Sequence, residues 1–170
     1  MALVNKSIAE DEEGRPTKRL KPSYSDTIIV MAGPKETRFS VHQDIVCKRS
    51  KFFAAACKIA WTEGKEGVVR LPTVEPDTMK MYIHWVYTQT IDISILELPK
   101  NLKGHNALGT RRLVKLHVAA DMLLDRTLKN AVVDEMMRLA QDGDLSFSPA
   151  TIEYVWSQAH SHLKLSLIHI

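Results

Sequence analysis

Apolar positions along this chain change period several times, and each change marks an element. Thr27-Ile28-Ile29-Val30-Met31 is a continuous run of strand-forming residues, short enough for one buried strand over 27–31. Gly33-Pro34 breaks it. Thr37-Arg38-Phe39-Ser40-Val41 then alternates polar and apolar, which predicts a second strand over 37–41 beside the first. Two short helices are predicted next, over 43–48 and 51–60, with Ser50 between them as an N-cap. The second sets Phe52, Phe53, Ala56 and Ala60 at helical spacing and leaves Lys51 and Lys58 outward. A loop around Gly64 and Gly67 leads to a third strand over 68–71, closed by Pro72.

Glu75-Pro76-Asp77 opens a strong helix over 76–88. Proline suits the first helical position, where no amide hydrogen is needed, and the acids suit the positive end of the dipole. Its predicted inner face is Met79, Tyr82, Ile83, Val86 and Tyr87. Thr90 to Ile95 fits a short edge strand, and 96–109, with Pro99, Gly104 and Gly109, reads as a long exposed loop. Thr110 then caps a helix over 111–124 that repeats Leu113, Leu116, Ala120 and Leu123. Another helix follows over 127–141, with Leu128, Val132, Met136 and Leu139 on one face, ending near Gly143. A last turn and helix from Ser148 carries Ile152, Val155, Trp156 and Ala159. The order of these period-two and period-3.6 segments predicts an α+β class: a small sheet flanked by a cluster of helices.

Composition narrows the function classes. With 45% hydrophobic and 25% charged residues, the 170-residue chain has the make-up of an ordinary globule with enough apolar material for a core. A net charge of +3, from 23 basic against 20 acidic residues, is too mild and too evenly spread to argue for direct nucleic-acid binding. No apolar run reaches the roughly 18 residues of a membrane span. The segment 1–22 reads as a disordered charged tail, acidic at Glu10-Asp11-Glu12-Glu13 and basic from Arg15 to Lys21, and its Lys18-Arg19-Leu20-Lys21 has the form of a short import signal. The domain is expected over 23–143, with a C-terminal helical extension over 144–170. The last six residues, Leu165 to Ile170, resemble a translated sequencing-adapter fragment and carry no functional weight.

No constellation calls for catalysis, a cofactor or a metal. Cys47 and Cys57 lie ten residues apart with no ligand spacing, and read as reduced intracellular thiols. His160 and His162 are two apart, which sends them to different faces of a helix. His84, His105 and His117 have no Cys or carboxylate at ligand spacing, and no phosphate loop or nucleophile elbow occurs. Methionines 79, 81, 136 and 137 read as core filler. Ser50 has no base partner and reads as a cap. His42 and Asp26 stand at element junctions, where a side chain satisfies unpaired backbone groups, so both are expected to be structural.

The order of these pieces is specific. Asp26 precedes the first strand, Val41-His42 opens the first helix and Ser50-Lys51-Phe52-Phe53 opens the second. Leu71-Pro72 leads to the long helix, which ends in Trp85-Val86-Tyr87-Thr88. Leu116 to Leu123, followed by Leu128-Lys129-Asn130-Ala131, completes the series. Over roughly residues 24–141 the chain resembles the BTB/POZ domain, in wording closest to short fungal members. The resemblance implies a non-enzymatic module that works through protein partners, as a homodimer or by docking others, in the cytoplasm, the nucleus or both. Some such adaptors dock a cullin ubiquitin-ligase scaffold through a hydrophobic-any-acidic trio after the second helix. Trp61-Thr62-Glu63 has that form. Transcription-factor members often follow the His with Lys or Arg, which pairs with the strand Asp. Gln43 stands there instead, which weakens the second reading, a nuclear regulatory protein without its own DNA-binding element.

Overall fold

The computed structural model describes residues 26–62, 67–96 and 105–158. The charged tail with Lys18 to Lys21, Glu63, most of the loop beyond it, the middle of the 96–109 segment, and the end of the chain with His160, His162 and Leu165 to Ile170 lie outside the described residues.

Three strands form one sheet in the order β2-β1-β3: β1 Thr27–Ala32, β2 Thr37–His42 and β3 Val68–Leu71. β1 and β2 are antiparallel with Thr27 opposite His42 and Ala32 opposite Thr37, while β3 joins β1 in parallel with Ile29 opposite Val68. Central β1 buries alternate residues Ile28, Val30 and Ala32, the period-two signature of a strand with one face on the core. The hairpin turns on Gly33, whose φ of 73° lies in the left-handed region. A Cβ there would also come within 3.1 Å of the Pro76 ring, so both the turn and the close approach of the next helix select glycine.

The connection from β2 across β1 to β3 is a pair of helices, α1 Gln43–Arg49 and α2 Lys51–Thr62. α3 Pro76–Thr88 follows β3, and α4 His105–Met122, α5 Arg126–Gln141 and α6 Pro149–Gln158 complete the fold. The core runs from Val30, Val41 and Val69 of the sheet through Phe53, Met79 and Tyr82 to Leu113, Leu116, Leu123, Leu128 and Val132 of α4 and α5. Asp125 caps α5 by accepting the Leu128 N–H at 3.0 Å. No helix among the described residues is long and apolar enough to cross a membrane.

Several expected boundaries and faces are corrected. Residues 90–96 hold no strand: Asp92 Oδ1 accepts from both the N–H and the hydroxyl of Ser94, at 2.8 and 2.6 Å. That local turn takes groups a strand ladder would need. Helix α4 begins at His105, so the expected loop is shorter at its C-terminal end and Gly109 is helical. Gly109 faces Ile93, where a Cβ would sit 3.7 Å from the side chain, and the packing of this turn outweighs glycine's poor helix propensity. Thr110 therefore does not cap α4. It is buried inside the helix, and its hydroxyl accepts the Ser146 N–H at 3.2 Å. On α3 the inner face is Met79, Met81, Tyr82, Trp85 and Val86, while Tyr87 is exposed. On α6 Thr151 and Val155 face inward with Tyr154 partly buried beside them, leaving Ile152 and Trp156 exposed. Met79, Met81 and Met136 fill the core, but Met137 faces out.

Candidate functional site

The residues singled out in sequence converge on the α1–α2 corner and the α3 face beneath it. β2 delivers His42 to the N-cap of α1, and the chain is pinned there by the Gln43 N–H donating to the Asp26 carbonyl at 2.9 Å. Asp26 is exposed and makes this link through its main chain. His42 meets Tyr87, 45 residues away: the Tyr87 hydroxyl accepts the His42 backbone N–H at 3.1 Å and lies 2.7 Å from Nδ1. With one lone pair so used, the phenol O–H donates to Nδ1 whenever that nitrogen is unprotonated. The two rings stand edge to face at 5.9 Å. The pair fastens the end of β2 to the end of α3.

Ser50, fully buried, holds the corner itself. Its Oγ accepts the Phe53 N–H at 3.0 Å and donates to the Leu123 carbonyl at 2.6 Å, linking the start of α2 to the end of α4. The hydroxyl's proton and one lone pair are engaged in structural bonds, which is the chemistry of a cap and not of a nucleophile. Ser50→Ala is expected to cost about 1–3 kcal/mol, combining the lost cap with an unpaired buried carbonyl. Urea unfolding checks this, and a loss below about 0.5 kcal/mol would refute the cap's role.

Phe53 lies stacked on Tyr82 of α3 at 6.2 Å and edge to face with Phe52 at 5.4 Å. Burial pushes the Tyr82 phenol pKa upward and the Asp125 charge pushes it further, so the ring is a neutral core member. Trp85 is buried beside them, its indole N–H without a hydrogen-bond partner among the described residues. Helix α2 continues through Trp61 and Thr62, two residues beyond its expected end, so the Trp61-Thr62-Glu63 segment starts on the helix's last turn and not after it. Glu63 lies outside the described residues.

Two features escaped the sequence. Cys47 and Cys57, read in sequence as reduced thiols ten residues apart, face each other with Sγ atoms 2.9 Å apart, because the turn at Ser50 folds α1 against α2. A cleft of about 260 Å³ between the β3–α3 connection, α4 and α6 is lined by Val74, Glu75, Lys115, Met122 and Tyr154. Lys115 bridges it, paired with Glu75 and 5.8 Å above the Tyr154 ring. No periodicity marks such a cleft, whose walls come from three separate elements. Among the described residues no three His, Cys, Asp or Glu side chains are grouped to hold a metal ion.

Large apolar side chains, among them Met137, Ile152 and Trp156, stay exposed on the helices of this small domain. Residues 17–121, well over half of the chain, match the family model of the BTB/POZ domain, and the chain belongs to that family. Solved structures similar to it include the BTB domain of zebrafish PATZ1, at 16% identity and a TM-score of 0.47, covering 65% of this chain and 75% of that one. The BTB domain of human gigaxonin matches at 12% identity and a TM-score of 0.47, covering 78% of this chain and 98% of that one.

Proposed function

We propose that this BTB/POZ domain is a non-enzymatic adaptor that pairs with a second copy of itself and docks a cullin ubiquitin-ligase scaffold through Trp61-Thr62-Glu63. The observation that carries the reading is the seating of α2. Its first turn is fixed by Ser50 and Phe53, and its helix runs unbroken to Trp61 and Thr62. A large apolar side chain at the end of an anchored helix, next to an acid, has the make-up of an interaction hot spot.

The test is the affinity of the purified domain for a cullin N-terminal domain, by calorimetry. Trp61→Ala should weaken binding by roughly 2 kcal/mol or more, about thirtyfold, with little change in unfolding. Reversing a rim charge with Glu63→Lys should slow association and leave the fold intact. Unfolding of Trp61→Ala by roughly 3–5 kcal/mol would instead place Trp61 in the core and remove the docking claim. Sedimentation of the same protein decides between self-pairing and a monomer.

A further inference from the structure

We propose that Cys47 and Cys57 form a thiol pair that closes under peroxide to an intrachain disulfide and clamps α1 onto α2. The contact of 2.9 Å between the sulfurs exceeds a disulfide bond, roughly 2.05 Å, by less than about 1 Å. It is held from both sides by structure that does not involve the sulfurs. The Ser50 N–H donates to the Val46 carbonyl at 2.9 Å, the Ala54 N–H donates to the Ser50 carbonyl at 3.0 Å, and the Ser50 hydroxyl ties the corner to Leu123. These bonds hold the corner between the two helices, and the sulfurs already face each other across it, so closure asks for an approach of the two side chains by less than about 1 Å.

Access divides the roles. Cys57 is buried, whereas Cys47 is partly open to solvent and meets the oxidant first. Its thiolate attacks one oxygen of hydrogen peroxide. The O–O bond breaks, hydroxide leaves and is protonated to water, and Cys47 becomes a sulfenic acid. The Cys57 thiol then attacks the Cys47 sulfur and gives its proton to the departing oxygen. The S–O bond breaks, a second water leaves, and the S–S bond forms. Two thiols are oxidised by two electrons, and one peroxide is reduced to two waters. Burial, then the hydrogen bond with Cys57, pushes the Cys47 thiol up to about 12, which keeps thiolate scarce at neutral pH. The pair therefore stays reduced against brief exposure and closes under sustained peroxide.

Trypsin reads the result directly, because Lys48, Arg49 and Lys51 lie between the cysteines. The whole chain is treated with peroxide, alkylated while denatured and digested. The expected product is the Phe39–Lys48 peptide joined to Phe52–Lys58, about 2 Da lighter than the sum of the two and separated by reductant. The oxidised chain should run as a monomer on a non-reducing gel and melt several degrees above the reduced one. Cys47→Ser and Cys57→Ser should each abolish the joined peptide, and the wild-type digest stands even if one variant folds poorly. Overturning results are two freely alkylated cysteines after peroxide, a gain of about 32 Da at Cys47 from a sulfinic acid, a cross-link between chains, or an oxidised midpoint no higher than the reduced one.

Discussion

Phe53→Ala is expected to destabilise the domain by about 3–5 kcal/mol, the range for deleting a buried large aromatic. The ring is fully buried and is the contact by which the first turn of α2 reaches Tyr82 in the middle of α3. Truncation loses the transfer energy of the ring, opens a cavity beneath α2, and removes an aromatic pair worth about 0.5–1.5 kcal/mol beyond its area. The backbone N–H that Ser50 caps remains, so the effect isolates packing from capping. Against a total stability of about 5–15 kcal/mol, this loss leaves little margin. Phe52→Ala serves as the control, since Phe52 is only partly buried and should cost less than half as much. Urea midpoints at constant slope measure both. A Phe53→Ala loss below about 1 kcal/mol would show that the neighbours collapse into the site and that Phe53 does not fasten α2 to α3.

The contrast between Phe53 and Tyr87 shows what a one-dimensional pattern can hold. Phe53 was legible because it shares its helix with a capping serine three residues back and an alanine three residues on. Those neighbours fix the start of the helix and the face it buries. β1 was legible from its continuous apolar run, and α3 from Pro76 at the position where a proline costs nothing. Tyr87 also fitted an apolar period, yet its ring is exposed and its hydroxyl serves His42. Nothing near Tyr87 in sequence records that partner, 45 residues away. Ile152 and Trp156 fail for a related reason: a helix against one neighbour buries a narrow stripe, and Thr151 with Val155 occupies it.

Breakers misled where tertiary packing overrode them. Gly109 reads as loop until Ile93 is placed against it, and Thr110 reads as a cap until α4 is seen to start five residues earlier. Of the residues discussed above, the form of Trp61-Thr62-Glu63, which is proposed to dock a partner, and the corner serine were in the sequence. The meeting of Cys47 with Cys57 was not, because ten residues of separation say nothing until the angle between α1 and α2 is known. The BTB/POZ family itself was legible because its signature is an order of local junctions, each of which survives translation into sequence.

Lowering the pH from 7 to about 4.5 is expected to destabilise the domain by about 2 kcal/mol through His117 alone. This histidine sits on α4, buried, with Nδ1 unpartnered among the described residues. Burial, then the positive charge of Lys129, lowers its pKa from 6.5 to about 4, while the Asp121 carboxylate opposes the shift. Lys129 and Asp121 are themselves an ion pair across the α4–α5 corner, which limits how far the carboxylate can favour a proton on the ring. The unfolded chain takes up the proton near pH 6.5, and the folded chain only near 4. Between those values the unfolded state binds more protons, so stability is complete above about 6.5 and falls as the pH drops toward 4. Each pH unit in that window removes at most about 1.4 kcal/mol per proton. His117→Gln removes the titration while keeping a polar side chain of similar reach, so its stability should fall less than the wild type's between pH 7 and 4.5, by the His117 share. Carboxylates titrate equally in both proteins and cancel in the comparison. Parallel stability curves for the two would show that His117 takes up its proton in the folded state as readily as in the unfolded one.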